Sequence, residues 1–522
     1  AVALIFLLTY KPTPSVKRVV AYAYRDAITG IDPGVEFDTG VVVLHLIYEP
    51  LLKYDPLKNE FTPLLAVSWE KINDTAWLFV LRDGVKFQDG TPLDAEAVKF
   101  SIERTRDIYS ETGRGPGYIW SCVEEVIVVN RTAVLFKLSY PARVDLIASG
   151  AYGAFIYSPK VVEYSGATSP IDPRLEEWFN EGNAIGTGPY KLASYRPESE
   201  VRLVKNDEWW GWKEVNNPSP PDEVIVKIIE TPEAQESGLR AKSIDIATNI
   251  PRVSIPGLES QGYSKVVISS YHNFILVFNT RRYPTNIVEV RKAIAYAIPY
   301  DELINTVLRG YGRIGSGLVP YGFPGYIENL TYKHDLSLAQ KLLEEAGLAG
   351  RISLEIVITA GYEEEEKFAS LLKDSLAKLG IELTITSLPW EFVKERGASV
   401  WVNPNEAPHL IINDWWPTYP SPYEYYYIFH KDDKEWNWAG YEDEEYSQII
   451  DEAFVLEGVD WAKSMELYAE AAQKIFNNAI AINLWDMMHI YVYDGGKLVL
   501  REGAFNPLYS YVIFFQYVEV KT

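Results

Sequence analysis

The sequence is nearly free of cysteine. Cys122 stands alone among 522 residues, so a disulfide framework within the chain is excluded. A single cysteine of this kind is usually a small buried hydrophobic residue rather than a nucleophile. Glutamine is also scarce, with none between Gln88 and Gln235. A shortage of thermolabile residues is typical of proteins from hot habitats, so we expect a thermophilic protein.

Basic residues are outnumbered by acidic ones. Lysine and arginine total 49 against 72 aspartates and glutamates, which gives a formal net charge of −23 and a pI of about 4.8. Binding of nucleic acid requires basic patches that neutralise phosphates, so we expect no nucleic-acid partner. An excess of negative charge favours solubility and weakly repels an anionic membrane.

No hydrophobic run is long enough to span a bilayer, which takes about 20 residues. The first nine residues, AVALIFLLT, are apolar but have no basic segment before them, so they do not form a complete signal peptide. We interpret residues 1–17 as the remnant of an export signal or anchor, or as a linker, and the alternative is a first core strand. An export or anchor remnant predicts that the protein is extracellular, on the cell surface or periplasmic, and that it contacts the membrane only through an anchor.

Local signatures of catalysis and cofactor binding are missing. The six histidines show no H-x-x-x-H or H-x-H spacing, and no G-x-S-x-G or P-loop pattern occurs. The glycine-rich stretch Gly310–Gly317 follows a predicted helix rather than a strand, and the acidic run Glu363–Glu366 is interpreted as favourable charge at a helix start. We therefore predict no catalytic residue, no metal site and no cofactor. A secreted hydrolase stays open as an alternative, because catalytic carboxylates need not be adjacent in sequence.

The composition that remains is that of a globular protein, 47% hydrophobic and 14% aromatic, with enough length for two or three domains. Phe79–Arg104 predicts a strand, two turns and a helix opened by Asp94, and Val123–Leu138 predicts a hairpin. After Tyr271 helices and strands alternate, and a strand–helix–strand unit over 352–388 predicts a parallel pair. The chain thus divides into a β-rich half before about Tyr271 and an α/β half after it. Two halves of this kind suggest a cleft between them, where ligands usually bind.

The most unusual stretch is aromatic: NDWWPTYPSPYEYYYIF, residues 413–429. It follows HLII, which we expect to be the end of a strand, and three prolines stiffen the loop. Aromatic faces with polar tips suit the binding of peptides or sugars. We predict that Trp415 and Trp416 face the cleft, whereas the individual tyrosines after Tyr423 are expected in the core.

Several blocks of sequence resemble one protein family. They are PLLAVSWEKINDTAWLFVLRDGVKFQDGTPLDAEAVKFSIER (Pro63–Arg104), GTGPYKL (Gly186–Leu192) with VRLVKNDEWWG (Val201–Gly211), and VRKAIAYAI (Val290–Ile298). In this order they resemble the family 5 extracellular solute-binding proteins of ABC importers, the oligopeptide-, dipeptide- and nickel-binding type. The resemblance extends from about Val19 to Val492, although Pro299 stands where the family usually has an aspartate.

The resemblance implies an α/β, two-lobed periplasmic-binding-protein-like fold of type II (cluster C), with an extra domain inserted in the first lobe. We predict lobe I from residues 18–49, 176–271 and 491–522, the inserted domain from 50–175, and lobe II from 272–490. The block Pro63–Arg104 would then have an architectural role in the inserted domain.

The resemblance also implies the function, which is capture of an oligopeptide in the cleft and delivery to a membrane permease by a monomer. In peptide-binding relatives an aspartate after the aromatic strand pairs with the peptide's amino group. Thr418 stands at the matching position here, so Asp414 or a glutamate near Glu36 would have to substitute. Ten residues are predicted to contact the ligand: Glu36, Tyr118, Tyr271, Asn273, Trp390, Asp414, Trp415, Trp416, Thr418 and Tyr419.

An oligosaccharide, such as a cello- or manno-oligosaccharide, is the close alternative ligand. Stacked tryptophans suit sugar rings, and a neutral ligand leaves no buried carboxylate unpaired if the aspartate is missing. The distribution of histidines gives no support for nickel or haem as the ligand.

Overall fold

The computed structural model describes residues 17–348 and 352–521. The segment 1–16, which we interpreted as an export remnant or a first core strand, lies outside the described residues. The strands are β1 (Val19–Tyr24), β2 (Leu52–Asp55), β3 (Glu60–Pro63), β4 (Ala66–Asn73), β5 (Ala76–Leu81), β6 (Val123–Asn130), β7 (Ala133–Leu138), β8 (Tyr190–Arg196), β9 (Glu200–Lys205), β10 (Glu223–Ile228), β11 (Ile246–Ala247), β12 (Ser264–Phe278), β13 (Gly312–Ile314), β14 (Ile352–Thr359), β15 (Ile381–Leu388), β16 (Leu410–Trp415), β17 (Ala481–Tyr493), β18 (Leu498–Leu500) and β19 (Val518–Val520).

Most helices are short. The α-helices are α1 (Val41–Ile47), α2 (Ala95–Thr112), α3 (Val144–Ile147), α4 (Val161–Ser165), α5 (Pro173–Asn180), α6 (Trp212–Val215), α7 (Pro232–Arg240), α8 (Ile255–Ser260), α9 (Val288–Ala297), α10 (Tyr300–Glu302), α11 (Leu336–Glu345), α12 (Glu363–Ala377), α13 (Trp390–Ala398), α14 (Tyr423–Tyr426), α15 (Glu444–Glu457) and α16 (Trp461–Asn477). The longest ones are α2 near the N-terminal end and α12, α15 and α16 in the C-terminal part of the chain. A π-helical turn, Leu303–Val307, continues α10.

One large mixed sheet runs through the molecule in the order β15-β14-β16-β12-β17-β11-β1-β10-β9-β8, with β13 added beside β17. β14 and β15 are parallel neighbours joined through α12, so the predicted strand–helix–strand unit is confirmed. The acidic run Glu363–Glu366 forms the first turn of α12, where its charge favours the helix as expected.

The long strands β12 and β17 connect the two ends of this sheet. The first half of β12 pairs with the C-terminal half of β17, and its second half pairs with both β16 and β17. The register shifts between Ser269 and Asn273, and the predicted crossing point Tyr271 lies in this irregularity. From Ser270 onward β12 is buried on both faces, which explains the continuous apolar run Phe274–Phe278 at its end. The lobe boundaries themselves stay a prediction.

The segment 50–175 contains its own four-stranded antiparallel sheet, in the order β4-β5-β7-β6, with α2 packed against it. Asp94 caps α2, because its carboxylate accepts a hydrogen bond from the Ala97 N–H at 3.0 Å. The turns at Gly84 and Gly90 have φ of 81° and 87°, a region that favours glycine. The predicted strand, turns, helix and hairpin are therefore confirmed.

A buried ion pair fixes α2 to the N-terminal part of the chain. Both Nη atoms of Arg104 donate to the two carboxylate oxygens of Asp32 at 2.6 Å, and both side chains are at most 2% exposed. Arg104 also donates to the Pro170 carbonyl at 2.8 Å and to the Tyr157 hydroxyl at 3.2 Å. This bidentate pair joins three separate segments of the chain, so its geometry orients the helix against the main sheet.

Replacing Arg104 by methionine should lower the free energy of unfolding by about 3–5 kcal/mol, because the Asp32 carboxylate stays buried without its partner. Arg131→Met is the matched control, since Arg131 pairs with Asp83 at the exposed surface and contributes little. Urea unfolding of the two variants and the wild type measures the effect. Equal midpoints for all three proteins would show that the buried pair does not hold α2 in place.

Candidate ligand-binding site

A cavity of about 300 Å³ lies where an N-terminal part of the chain faces a C-terminal part. One side is formed by residues between 29 and 38 together with residue 152, and the other by residues between 390 and 436. The residues that line it are Thr29, Glu36, Phe37, Asp38, Tyr152, Trp390, Glu391, Lys394, Asp414, Trp415, Trp416, Glu435 and Trp436.

The N-terminal side is a loop that Glu36 organises from within. Its Oε1 accepts hydrogen bonds from the Thr29 hydroxyl at 2.7 Å, the Asp38 N–H at 2.8 Å and the Gly40 N–H at 2.9 Å. A side chain at position 40 would bring its Cβ to 2.3 Å from the Gly30 carbonyl oxygen, so only glycine permits this approach. Glu36 therefore holds the loop that presents Phe37 and Asp38 to the cavity.

The opposite side is rich in tryptophan. Trp390 and Lys394 lie one turn apart on α13, and Asp433 accepts hydrogen bonds from the Glu435 and Trp436 N–H groups at 3.0 and 2.8 Å. This carboxylate fixes the loop that carries Trp436, whose ring packs 5.1 Å from that of Trp415 and 6.4 Å from that of Trp390. The rings form an aromatic wall with indole edges and faces available for contact.

The floor of the cavity is the end of β16. This strand extends to Trp415, so it is longer than expected from the HLII segment. Asp414 pairs with Phe274 of β12, and its Oδ2 accepts from His272 Nε2 at 3.3 Å and from the Tyr362 hydroxyl at 3.2 Å. Two donors thus orient the Asp414 carboxylate at the edge of the cavity.

The cavity is strongly acidic, because five carboxyl groups line it and Lys394 is its one amine. Burial raises the pKa of Asp38 to about 7, and the neighbouring charge of Glu36 adds to the rise. Partial desolvation also raises the pKa of Glu435, although its side chain is still exposed to solvent. Lys394 opposes both shifts and lies 3.0 Å from a carboxylate oxygen of Glu391. The site therefore combines an excess of negative charge with one positive group.

Hydrogen bonds connect the two sides beside the cavity. Trp416 Nε1 donates to the Tyr152 hydroxyl at 3.0 Å, which in turn donates to the Asp38 carbonyl at 2.8 Å. The Ala151 N–H donates to the Thr418 carbonyl at 2.6 Å. The loop after β16 is thus attached to the segment around residue 151.

Five of the ten predicted ligand-binding residues line the cavity, and they are Glu36, Trp390, Asp414, Trp415 and Trp416. The other five lie outside its lining. Tyr271 and Asn273 are buried in β12, where their side chains donate to the Gly322 and Leu318 carbonyls at 3.1 and 2.6 Å. Tyr419 is 2% exposed and Thr418 is buried against Tyr118, with 2.8 Å between their oxygens. That these five contact a ligand stays a prediction without support from the cavity geometry.

Sequence reasoning missed several residues that line the cavity, among them Asp38, Lys394 and Trp436. A signal for Trp436 was present, because the short segment EWNW at 435–438 has two tryptophans close behind the aromatic stretch. Asp38 and Lys394 carry no local signal, since single charged residues in a loop and on a helix are ordinary surface features.

Comparison with known proteins identifies the family. The model for bacterial extracellular solute-binding proteins, family 5, matches residues 60–437. The chain belongs to this family. It is therefore a substrate-binding protein of an ABC importer, and its family consists of solute-binding proteins rather than enzymes, so the resemblance seen in the sequence is confirmed.

Two curated Escherichia coli relatives show the range of this similarity. The probable D,D-dipeptide-binding periplasmic protein DdpA is 28% identical over 468 residues, covering 87% of this chain and 86% of the relative. The dipeptide-binding protein is 26% identical over 418 residues, covering 72% of this chain and 73% of the relative.

Solved structures of similar proteins superpose on this chain and have the expected fold. The periplasmic binding protein DppA from Helicobacter pylori, in complex with peptide STSA, superposes with a TM-score of 0.81 at 22% identity, covering 97% of this chain and 98% of the other. The oligopeptide-binding protein AppA from Bacillus subtilis, in complex with a nonapeptide, gives 0.80 at 20% identity, covering 97% and 100%. The two-lobed α/β binding-protein fold is therefore confirmed.

Among the helices in residues 17–348 and 352–521, none is both long and apolar enough to cross a membrane. The same ranges contain no group of three or more His, Cys, Asp or Glu side chains arranged to hold a metal ion.

Trp436→Ala should weaken ligand binding by about 1–3 kcal/mol, because it removes one ring of the aromatic wall. Since Trp436 is only partly buried, the melting temperature should stay close to that of the wild type. Calorimetry with a panel of dipeptides and disaccharides, together with thermal unfolding, measures both quantities.

Trp438→Ala is the matched control for this prediction. Trp438 is 2% exposed and packs against Gly397, so its loss should destabilise the fold by about 3–5 kcal/mol. If Trp436→Ala lowers the melting temperature as Trp438→Ala does, with unchanged affinity per folded molecule, the wall belongs to the core and not to the binding site.

Proposed function

We propose that the protein captures a short peptide, of about dipeptide size, in the cavity between Asp38 and the tryptophan wall, and delivers it to a membrane permease. The observation that carries the proposal is the cavity's charge pattern, in which carboxylates from both sides of the cavity surround one lysine. A zwitterionic peptide matches this pattern, because its ammonium group pairs with carboxylates and its carboxylate with the lysine.

The ammonium group of the ligand would be held by Asp38 and Glu435. Desolvation raises the pKa of both groups, so an ammonium ion between them would stabilise their charged forms. Lys394 would hold the peptide's carboxylate end, and the wall of Trp390, Trp415 and Trp436 would contact an apolar side chain. A cavity of about 300 Å³ lies at the lower end of the range for small-molecule sites, which supports a short ligand.

The names of the relatives agree with this choice of ligand. One curated relative is described as probably D,D-dipeptide-binding and another as dipeptide-binding, and two similar structures hold a peptide. Other relatives are described as glutathione- or haem-binding, so the family alone does not select the ligand. In our proposal the charges in the cavity favour a short peptide over the other ligands.

An oligosaccharide is the second candidate. Four tryptophans line the cavity, and flat indole faces suit the apolar faces of sugar rings while carboxylates accept hydrogen bonds from hydroxyls. An oligosaccharide would contact the aromatic wall, but it would leave Lys394 without a function in binding.

The two candidates are distinguished by calorimetry with L-alanyl-L-phenylalanine, its N-acetylated form and cellobiose. The proposal expects the free dipeptide to bind at least about tenfold more tightly than the acetylated one, because acetylation removes the charge that pairs with Asp38 and Glu435. Equal affinity for the two peptides would contradict recognition of the ammonium group. Binding of cellobiose without binding of either peptide would support the oligosaccharide instead.

The affinity for the free dipeptide should also depend on pH. Below pH 7 Asp38 is increasingly protonated, and binding of an ammonium group must release that proton, so the affinity should fall up to about tenfold per pH unit. Above pH 7 the dependence should flatten until the peptide's own amino group loses its proton. Asp38→Asn should bind more weakly and lose most of the slope between pH 5 and 7. A variant that kept the full slope would assign the titration to another group.

A further inference from the structure

A second cavity lies away from the proposed peptide site, and the NDEWWG block borders it. It has a volume of about 260 Å³ and lies among the end of α1, the β2–β3 hairpin, the segment 209–215 and the C-terminal segment 509–517. Its walls are aromatic, with Trp209, Trp210, Tyr509, Phe514 and Tyr517 among the lining residues. Four segments that are distant in sequence therefore surround one enclosed aromatic space.

A buried carboxylate forms one polar point of this cavity. Glu49 is 5% exposed, and its two oxygens accept hydrogen bonds from Trp209 Nε1 at 3.1 Å and Trp210 Nε1 at 3.0 Å. The two indoles fix the orientation of the carboxylate. Burial raises the pKa of Glu49 to about 7, although the hydrogen bonds from the two indoles and the nearby charge of Arg82 oppose the rise.

An amine forms the opposite polar point. Lys53 lines the same cavity, and its Nζ lies 5.3 Å from the ring centres of both Phe514 and Tyr517. Within the described ranges no carboxylate approaches it to ion-pair distance, although Asp55 on the same strand acts on it at longer range. The carboxylate of Asp55 pairs instead with Lys58 at 3.3 Å.

Glu214 and Gln516 also border the cavity, whose lining further includes His45 and Thr62. Glu214 is neutralised by Arg82, with 2.8 Å between their charged atoms. Gln516 is 8% exposed, and its Oε1 accepts no hydrogen bond from the described residues. The cavity thus offers a carboxylate and an amine that do not pair with each other, and one amide oxygen that can still accept a hydrogen bond.

From this arrangement we infer a second ligand site, which takes a free α-amino acid with an aromatic or large apolar side chain. The ligand's ammonium group would face Glu49, its carboxylate would face Lys53, and its side chain would lie among the aromatic rings. A zwitterion is favoured over a simple anion or cation, because either of those would leave one of the two protein charges unpaired.

The test is calorimetry with L-phenylalanine, N-acetyl-L-phenylalanine and L-phenylalaninamide on the full chain. The first derivative lacks the ammonium charge and the second lacks the carboxylate, so each should bind at least about tenfold more weakly than L-phenylalanine. Lys53→Met should cause a similar loss for L-phenylalanine. Lys58→Met, which removes a positive charge from the same hairpin at an exposed position, should leave the affinity unchanged.

Trp436→Ala distinguishes the two cavities, because Trp436 lines the peptide cavity and not the second one. If L-phenylalanine binds in the second cavity, this variant should not alter its affinity. Loss of binding in Trp436→Ala with normal binding in Lys53→Met would overturn the inference, as would equal affinity for all three compounds on the wild type. Absence of any binding at about 10 mM would overturn it as well. If Lys53→Met does not fold, the comparison of the three compounds on Trp436→Ala decides the matter, because that variant lacks part of the peptide cavity's wall.

Discussion

The pairing of β16 with β12 is the constraint on which the proposed site depends. Its register sets Asp414 opposite Phe274 and Trp415 opposite Asn273, next to the irregularity in β12. Because side chains alternate along a strand, a shift of one residue would turn Asp414 away from the cavity and bring Asn413 in its place. Backbone pairing in the middle of the large sheet therefore determines which side chains the floor of the cavity presents.

The acidic character of the cavity has a cost for the folded protein. Asp38 is partly buried close to Glu36, and its raised pKa means that the folded state holds its proton more tightly than the unfolded state does. The contribution of Asp38 to stability is therefore full below its unfolded pKa and is lost as the pH rises through about 7. Binding sites often retain such destabilising groups because the ligand, and not the protein, supplies the compensating charge.

The fold could be predicted because its signals are local, whereas the site could be predicted only in part. The Asp94 cap, the positive-φ turns and the strand–helix–strand unit each depend on a few neighbouring residues. Trp415 and Trp416 are adjacent in one unusual stretch, so the sequence alone marks them. Asp38 and Trp436 reach the same cavity from opposite ends of the chain, and such convergence is a property of tertiary packing. In β12 both faces are buried, so alternation could not show that Tyr271 and Asn273 point into the core.

The loop after β16 explains how the chain manages without an aspartate at position 418. The Thr418 N–H donates to Glu424 at 2.8 Å, and the Tyr118 hydroxyl donates to both carboxylate oxygens of Glu424 at 3.0 Å. A carboxylate is therefore present beside the loop, but protein donors satisfy it, and burial raises its pKa to about 7. Glu424 is also buried and does not line the cavity, so recognition of the ligand's ammonium group falls in our proposal to Asp38 and Glu435. Glu424 thus joins the loop to Tyr118, and in our proposal the ligand's amino group is recognised by Asp38 from one side of the cavity and by Glu435 from the other.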